Sequence, residues 1–191
     1  MDLTELYAGC RTYRRFLQTP VPRDAVERML ENARTANSAS NAQPVRYTAV
    51  LDPELVARMQ PLVKWAANLP PEQGMPKAGE QPTAFVAVSL IESAGSFALV
   101  DMGIAVHALT TTAWEAGIGS CIMGAIRAGE ISELLGIPDS ERLKLVVALG
   151  YPSHTSTIVE VPEDGSLAYF LDENRNYCVP KLALRSVARI R

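Results

Sequence analysis

Three guanidinium groups and a threonine hydroxyl fall within five positions at Arg11-Thr12-Tyr13-Arg14-Arg15. Arginine forks match phosphate oxygens two at a time, so the run suits an anion such as a phosphate. In an extended backbone Arg11, Tyr13 and Arg15 face one way and Thr12, Arg14 and Phe16 the other, so a single anion cannot use all three arginines. A solvated basic turn has the same composition. A second run, NSASNAQP from Asn37 to Pro44, offers short polar side chains that can hydrogen-bond a polar heterocycle or a polyol, or cap their own backbone. A third, GIGSCIMG from Gly117 to Gly124, lacks the spacing of the dinucleotide fingerprint, and it follows a helix where that fingerprint follows a strand. It offers backbone that a flat ligand can approach closely, with the Gly124 and Ala125 amides as donors.

Other reactive types point to structure. Cys121 has no neighbouring histidine and lies in an apolar segment, which reads as a buried thiol and not a nucleophile. Cys10, Cys121 and Cys178 cannot all pair, and with only His107 and His154 available a zinc site has little to build on. No metal site is expected. Trp65 reads as a core or lid anchor, Lys181 as a charge at a helix start, and His107 as a buried, hydrogen-bonded histidine.

The elements that must position these groups follow from periodicity and punctuation. Helices are expected over 2–9, with Leu3, Leu6 and Tyr7 on one face, and over 23–36, where Val26, Met29, Leu30 and Ala33 recur at helical spacing. A strand is expected over 46–51, then a helix capped by Asp52-Pro53. The segment 70–82 carries four prolines and two glycines, which predicts a surface loop or lid without regular structure. Residues 83–91 (TAFVAVSLI) read as a central strand buried on both faces. A helix of roughly 30 Å is expected over 96–116, ended by Gly117 and so apolar that it needs cover all round. A short apolar segment (118–123), a short helix (129–135) and a strand (143–149) follow. The last forty residues suggest a hairpin around Asp164-Gly165 and an amphipathic helix from Leu182. The whole chain reads as one domain, 1–191.

Composition bounds the function. Lys plus Arg total 18 against 21 Asp plus Glu, a net charge of −3, so no global positive field draws in nucleic acid or anionic lipid. Any anion site is local. The aromatic share of 6% favours packed helices over an aromatic-rich sandwich, hence an α+β fold. The run 97–114 is long enough to span a bilayer, but Asp101 and His107 interrupt it on different faces, which favours a soluble helix over a membrane span. The acidic, polar start MDLTELYAGC differs from a signal peptide, and a cytoplasmic location is expected. A compact monomer of this length would expose roughly 8,900 Å².

The order of the motifs resembles the nitroreductase family of flavoproteins. The resemblance rests on CRTYRRF (10–16), SNAQP (40–44), WA (65–66), PKAGEQPTA (76–84), DMGIA (101–105), GIGSCIMG (117–124), LVVALGYP (145–152) and YFLDENRNYCVPK (169–181), which span nearly the whole chain. It implies an α+β fold with a mostly antiparallel central sheet flanked by helices, a long helix in the core of a homodimer, and FMN sites shared between subunits. By position it assigns Arg11 and Thr12 to the phosphate and ribityl chain, Arg14 to the pyrimidine edge, and Lys181 to the phosphate. Ser38, Ala39, Ser40 and Asn41 would reach the flavin from the partner subunit, and Gly124 and Ala125 would approach its N5 side. A fixed guanidinium near N1 favours the negative charge a flavin takes on when it accepts hydride. The implied activity is ping-pong transfer of hydride from NADH or NADPH, through FMN, to a small-molecule acceptor such as a nitroaromatic or quinone, with no side chain as nucleophile.

Four positions depart from the family pattern: Cys10 stands where arginine is frequent, Asn37 where proline is usual, Ala39 where a second serine is usual, and Leu182 where the ending has arginine. They predict a weaker phosphate grip, with Arg15 or Arg185 as candidate substitutes. Two other readings stay open, a flavin-binding or flavin-consuming member with a specialised substrate and a non-catalytic dimeric binding module.

Overall fold

The computed structural model describes residues 2–66, 68–163 and 165–191. The chain runs α1 (Leu3–Gly9), α2 (Arg23–Arg34), a 3-10 turn (Ala39–Asn41), β1 (Val45–Val50), α3 (Pro53–Met59), α4 (Pro71–Gly74), β2 (Ala84–Ile91), α5 (Ala98–Glu115), β3 (Gly119–Met123), α6 (Ala128–Leu135) and β4 (Glu141–Gly150). It ends with β5 (Ser156–Val159), β6 (Phe170–Leu171), β7 (Tyr177–Pro180) and α7 (Leu184–Val187). The architecture is α+β. Four antiparallel strands in the order β1-β2-β4-β3 form the main sheet. β2 is buried along seven of its eight residues, as its unbroken apolar run requires. One face of the sheet carries α2 and α5 through Val86, Val88, Met29 and Leu109, and the other packs Phe85, Ala87 and Ala148 against α3, α6 and Trp65.

Local chemistry sets the helix starts. Asp2 and Glu5 form a reciprocal capping box on α1, and the Asp52 carboxylate accepts from the Glu54 and Leu55 amides to start α3. Gly117, at φ 74°, ends the chain's helical course after α5.

Several expectations need correction. Segment 70–82 is not wholly irregular, because Pro71 supplies a helical φ at the first position of the single-turn α4. β5 and β6 do not pair as a hairpin. β7 lies between them, parallel to β5 and antiparallel to β6. The tight connection is instead 172–176, where the Asp172 carboxylate accepts from the Asn174 and Asn176 amides and Arg175 adopts φ 63°; of the expected turn, Asp164 lies outside the described residues. The terminal helix is only the four residues of α7, with no buried side chain to hold a longer one. The α5 helix is covered on one side only. Met102, Val106, Leu109 and Ala113 are buried, while Leu99, Val100 and Ile104 are exposed. His107 lies on that open side and is exposed, not buried. The chain exposes 10976 Å² in all, well above the roughly 8,900 Å² of a compact monomer. Among the described residues no helix is long and apolar enough to cross a membrane.

Candidate functional site

Residues 10–16 reach the site along the outer edge of β3. The Arg11 amide donates to Gly9 O at 2.8 Å across Cys10, whose φ/ψ of −70°/81° make an inverse γ-turn. Thr12 bridges Ser120 in parallel, the Tyr13 amide donates to Ser120 O at 2.8 Å, and Phe16 bridges Pro152. Two glycines permit this close passage. A Cβ on Gly119 would fall 2.7 Å from Pro152 Cγ and 2.9 Å from Tyr13 Cβ, and one on Gly150 would fall 2.9 Å from Phe16 Cβ.

The γ-turn changes the expected alternation. Thr12 and Arg14 face outward while Tyr13 and Arg15 are buried, but the turn swings Arg11 to the side of Thr12 and Arg14. These three line a cavity of about 240 Å³ with Cys10, His107, Thr110, Ser120, Ile122, Tyr169, Val179 and Lys181. Four of the expected cofactor residues therefore meet, drawn from both ends of the chain. Three cations line the cavity and no carboxylate does. Arg11, Arg14 and Lys181 form no ion pair among the described residues. Arg11 Nη2 donates to Tyr7 O at 2.7 Å, but the Nε atoms of Arg11 and Arg14 are buried without a hydrogen-bond partner among the described residues. An anion seated here would meet donors that nothing else has claimed.

Sequence reasoning missed the aromatic side of this wall. The Arg14 guanidinium carbon lies 4.4 Å from the Tyr169 ring centre and 4.8 Å from that of Tyr177, contacts worth about 0.5–2 kcal/mol each. Both tyrosines sit in the last motif, but only the strand order that brings β7 beside β5 places them here. His107 stacks on Tyr7 at 5.4 Å. Behind Arg14, His154 packs on Tyr13 and Tyr177. Burial, with Arg15 beside it, pushes the His154 pKa down to about 4, so this ring is neutral at pH 7.

Neither candidate substitute contributes to the cavity. Arg15 is 4% exposed and donates to the Arg175 carbonyl, because its direction along the strand is inward. Arg185 lines a separate cleft with Ile158 and Glu160. Burial raises the Cys10 thiol pKa and pushes that of Cys121 up to about 11, so both are protonated thiols at neutral pH. Among the described residues no histidine, cysteine and carboxylate groups cluster as a metal site would require.

The remaining expected residues lie elsewhere in the chain. Ser38 lines a smaller cavity of about 90 Å³ beside Asn37, Tyr47 and Asp101. In its loop Ser40, Asn41 and Gln43 hold φ of 52°, 54° and 47°, and the buried Asp101 carboxylate accepts from the Ala39 amide at 2.8 Å. Gly124 and Ala125 are exposed at the end of β3, where Ala125 O accepts from the Lys64 amide at 2.9 Å and the segment at Val63 bridges Ile126. Within one chain these three groups do not share a cavity.

A sequence model of the nitroreductase family matches residues 8–151. The chain belongs to the nitroreductase family. It is 26% identical over 157 residues to a putative NADH dehydrogenase/NAD(P)H nitroreductase of Archaeoglobus fulgidus, covering 80% of this chain and 87% of that protein. It is 21% identical over 186 residues to iodotyrosine deiodinase 1 of Rattus norvegicus, of which it spans 65% of the length. The fold superposes on an FMN and NADPH-dependent nitroreductase from Sphigopyxis sp. strain HMH with a TM-score of 0.73, at 18% identity over all of this chain and 99% of that one. It also superposes on a nitroreductase family protein from Clostridium novyi NT with a TM-score of 0.67, at 23% identity over 80% and 86% of the two chains. The family match ends at Tyr151, so the segment that supplies Tyr169 and Lys181 to the cavity, and Tyr177 to the contact with Arg14, lies beyond it.

Proposed function

We propose that this protein is an FMN-dependent oxidoreductase that works as a homodimer, taking electrons from NADH or NADPH and passing them in a ping-pong cycle to a nitroaromatic, quinone or similar acceptor. The observation that carries the reading is the convergence of Arg11, Thr12, Arg14 and Lys181 on one cavity with unclaimed donors and no acid. That donor set fits the phosphate and the electron-rich pyrimidine edge of FMN. The cavity's 240 Å³ is below the roughly 300–1,000 Å³ of typical small-molecule pockets, consistent with a second chain completing it. The open face of α5 and the excess exposed area support the same reading.

FMN, when bound, supplies the hydride transfer between the nicotinamide donor and the acceptor. The chain's own residues bind and orient. Arg11, Thr12 and Lys181 hold the phosphate end, and Arg14 presents fixed positive charge where negative charge develops, an interaction that strengthens along the reaction. From the partner, Ser38, Ala39, Ser40 and Asn41 would add neutral hydrogen bonds, and the exposed backbone at Gly124 and Ala125 leaves room for a flat ring system. No side chain is needed as a nucleophile.

The test is an FMN titration of the purified protein followed by sedimentation. A flavin spectrum on a dimer, with NAD(P)H consumption in the presence of a quinone, is expected. Failure to acquire flavin absorbance overturns the reading, and a flavin-loaded monomer overturns the shared site. The similarity to the rat deiodinase favours a second reading, in which the same wall serves a narrow, specialised substrate. Quinone-independent behaviour of an FMN-loaded dimer would select it.

A further inference from the structure

Building on that reading, we propose that Tyr169 is a positioning residue that fixes the orientation of Arg14 and thereby sets how strongly the site favours negative charge on its cofactor. The two rings that contact the Arg14 guanidinium lie 5.8 Å apart with an interplanar angle of 53°, so its flat face is taken up by aromatic surface. What remains for a ligand is the N–H edge. No carboxylate holds that edge, and the buried Nε has no hydrogen-bond partner among the described residues. The rings are thus the contacts that restrain this side chain.

They are not equivalent. Tyr177 is wholly buried, registers with Ser156 in the small sheet and packs on His154, so replacing it disturbs the core. Tyr169 is half-buried, lines the cavity itself and precedes the edge strand β6. It can be altered without dismantling the fold. Its hydroxyl also accepts from the Asn68 amide at 3.4 Å, a long contact that ties the ring to the segment after Trp65.

A guanidinium held against aromatic faces keeps its charge in place before the reaction. Without the ring it gains rotamers and water, and the charge ceases to be preorganised. The effect therefore falls on the difference in affinity between the oxidised and two-electron-reduced cofactor, a quantity that loss of packing alone would not move.

The experiment compares wild type, Tyr169→Phe, Tyr169→Leu and Tyr169→Met by FMN titration and by the midpoint potential of bound FMN. The Phe variant should match wild type within about twofold in affinity and in potential. The Leu and Met variants should lose about tenfold in FMN affinity and shift the potential negative, by about 30 mV for each tenfold lost in preference for the reduced form. Leu and Met variants with an unchanged potential overturn the proposal. So does a Phe variant as impaired as Leu, which would assign the effect to the hydroxyl and Asn68. NMR of the flavin-free protein supplies an independent arm. Ring-current shifts of the Arg14 side-chain resonances should persist in Phe and shrink in Leu, where only the Tyr177 ring remains against the guanidinium, and shifts equal in Leu and wild type, or absent from wild type, overturn the clamp. If wild type binds no FMN while those resonances behave as expected, the proposed function fails and the clamp stands.

Discussion

Residues 9–16 and residues 38–43 carry polar groups assigned to the same cofactor, yet they are held in contrasting ways. The first segment is laid along a strand edge by the Thr12 and Phe16 bridges and the Tyr13 amide, with glycines at 119 and 150 admitting it. Its backbone conformation is ordinary apart from one γ-turn. The second bends through three left-handed non-glycine residues, each costing of order 1–3 kcal/mol, and depends on a buried carboxylate from α5. The wall is rigid because the sheet is rigid. The loop is held by α5 through Asp101, so its placement should answer to whatever covers the open side of that helix.

Perturbing each region separately tests this contrast. The largest effect is expected on the wall. Arg14→Ala should slow reduction of the bound flavin by about 10²-fold, with a drop of a few degrees in melting temperature from the loss of its two ring contacts, as stopped-flow absorbance and a thermal melt would read; loss of stability without loss of rate would break the assignment. On the loop side the order should invert. Asp101→Ala strands the Ala39 amide, at a cost of about 2 kcal/mol, and should lower the melting temperature by roughly 4–8 °C, with Asp101→Asn closer to wild type. Flavin affinity should fall in the dimer only, and an Asp101→Ala protein with native melting would show that the loop needs no clamp.

Gly9→Ala sharpens the picture of the wall's origin. The added Cβ would lie 2.4 Å from Trp114 Nε1, and since Trp114 stacks on Tyr13 at 4.9 Å its displacement reaches the wall. About 1 kcal/mol of destabilisation is expected, at the low end for overpacking because the tryptophan is only part-buried; a chemical-denaturation midpoint would measure it. The effect that is smallest at neutral pH is a titration. His154 titrates near 4 when folded against about 6.5 when unfolded, so the unfolded chain binds more protons between these values. Stability should be full above pH 6.5 and fall as pH drops toward 4. His154→Phe should flatten that part of the curve.

The sheet, the long helix and the arginine run were readable because each has a strong local signal. β2 is continuously apolar, α5 ends at a glycine, and guanidinium spacing survives any fold. Arg14 and Thr12 were legible together from strand alternation, but Arg11 joins them through a γ-turn at Cys10 that no residue type announces. The open side of α5 left a trace in the sequence, as an apolar helix without a polar stripe, yet which face stays uncovered depended on α2 and the sheet. The order β5-β7-β6 was hidden because two-residue β6 carries almost no pattern and the Asp164-Gly165 pair offers a more conspicuous turn than the Asp172 one that closes the hairpin. Tyr169 and Tyr177 were invisible as site residues for that reason.

The insertion of β7 beside β5 also has a consequence in the order of synthesis. Arg11, Thr12 and Arg14 are made well before Tyr169 and Lys181, which line the same cavity, and before Tyr177, which contacts Arg14. The main sheet can assemble earlier, since β4 closes at Gly150. A nascent chain would therefore hold a folded sheet with an unfinished cationic groove until β7 is released. Any ligand that needs both parts of this wall can therefore bind only after β7 has been made.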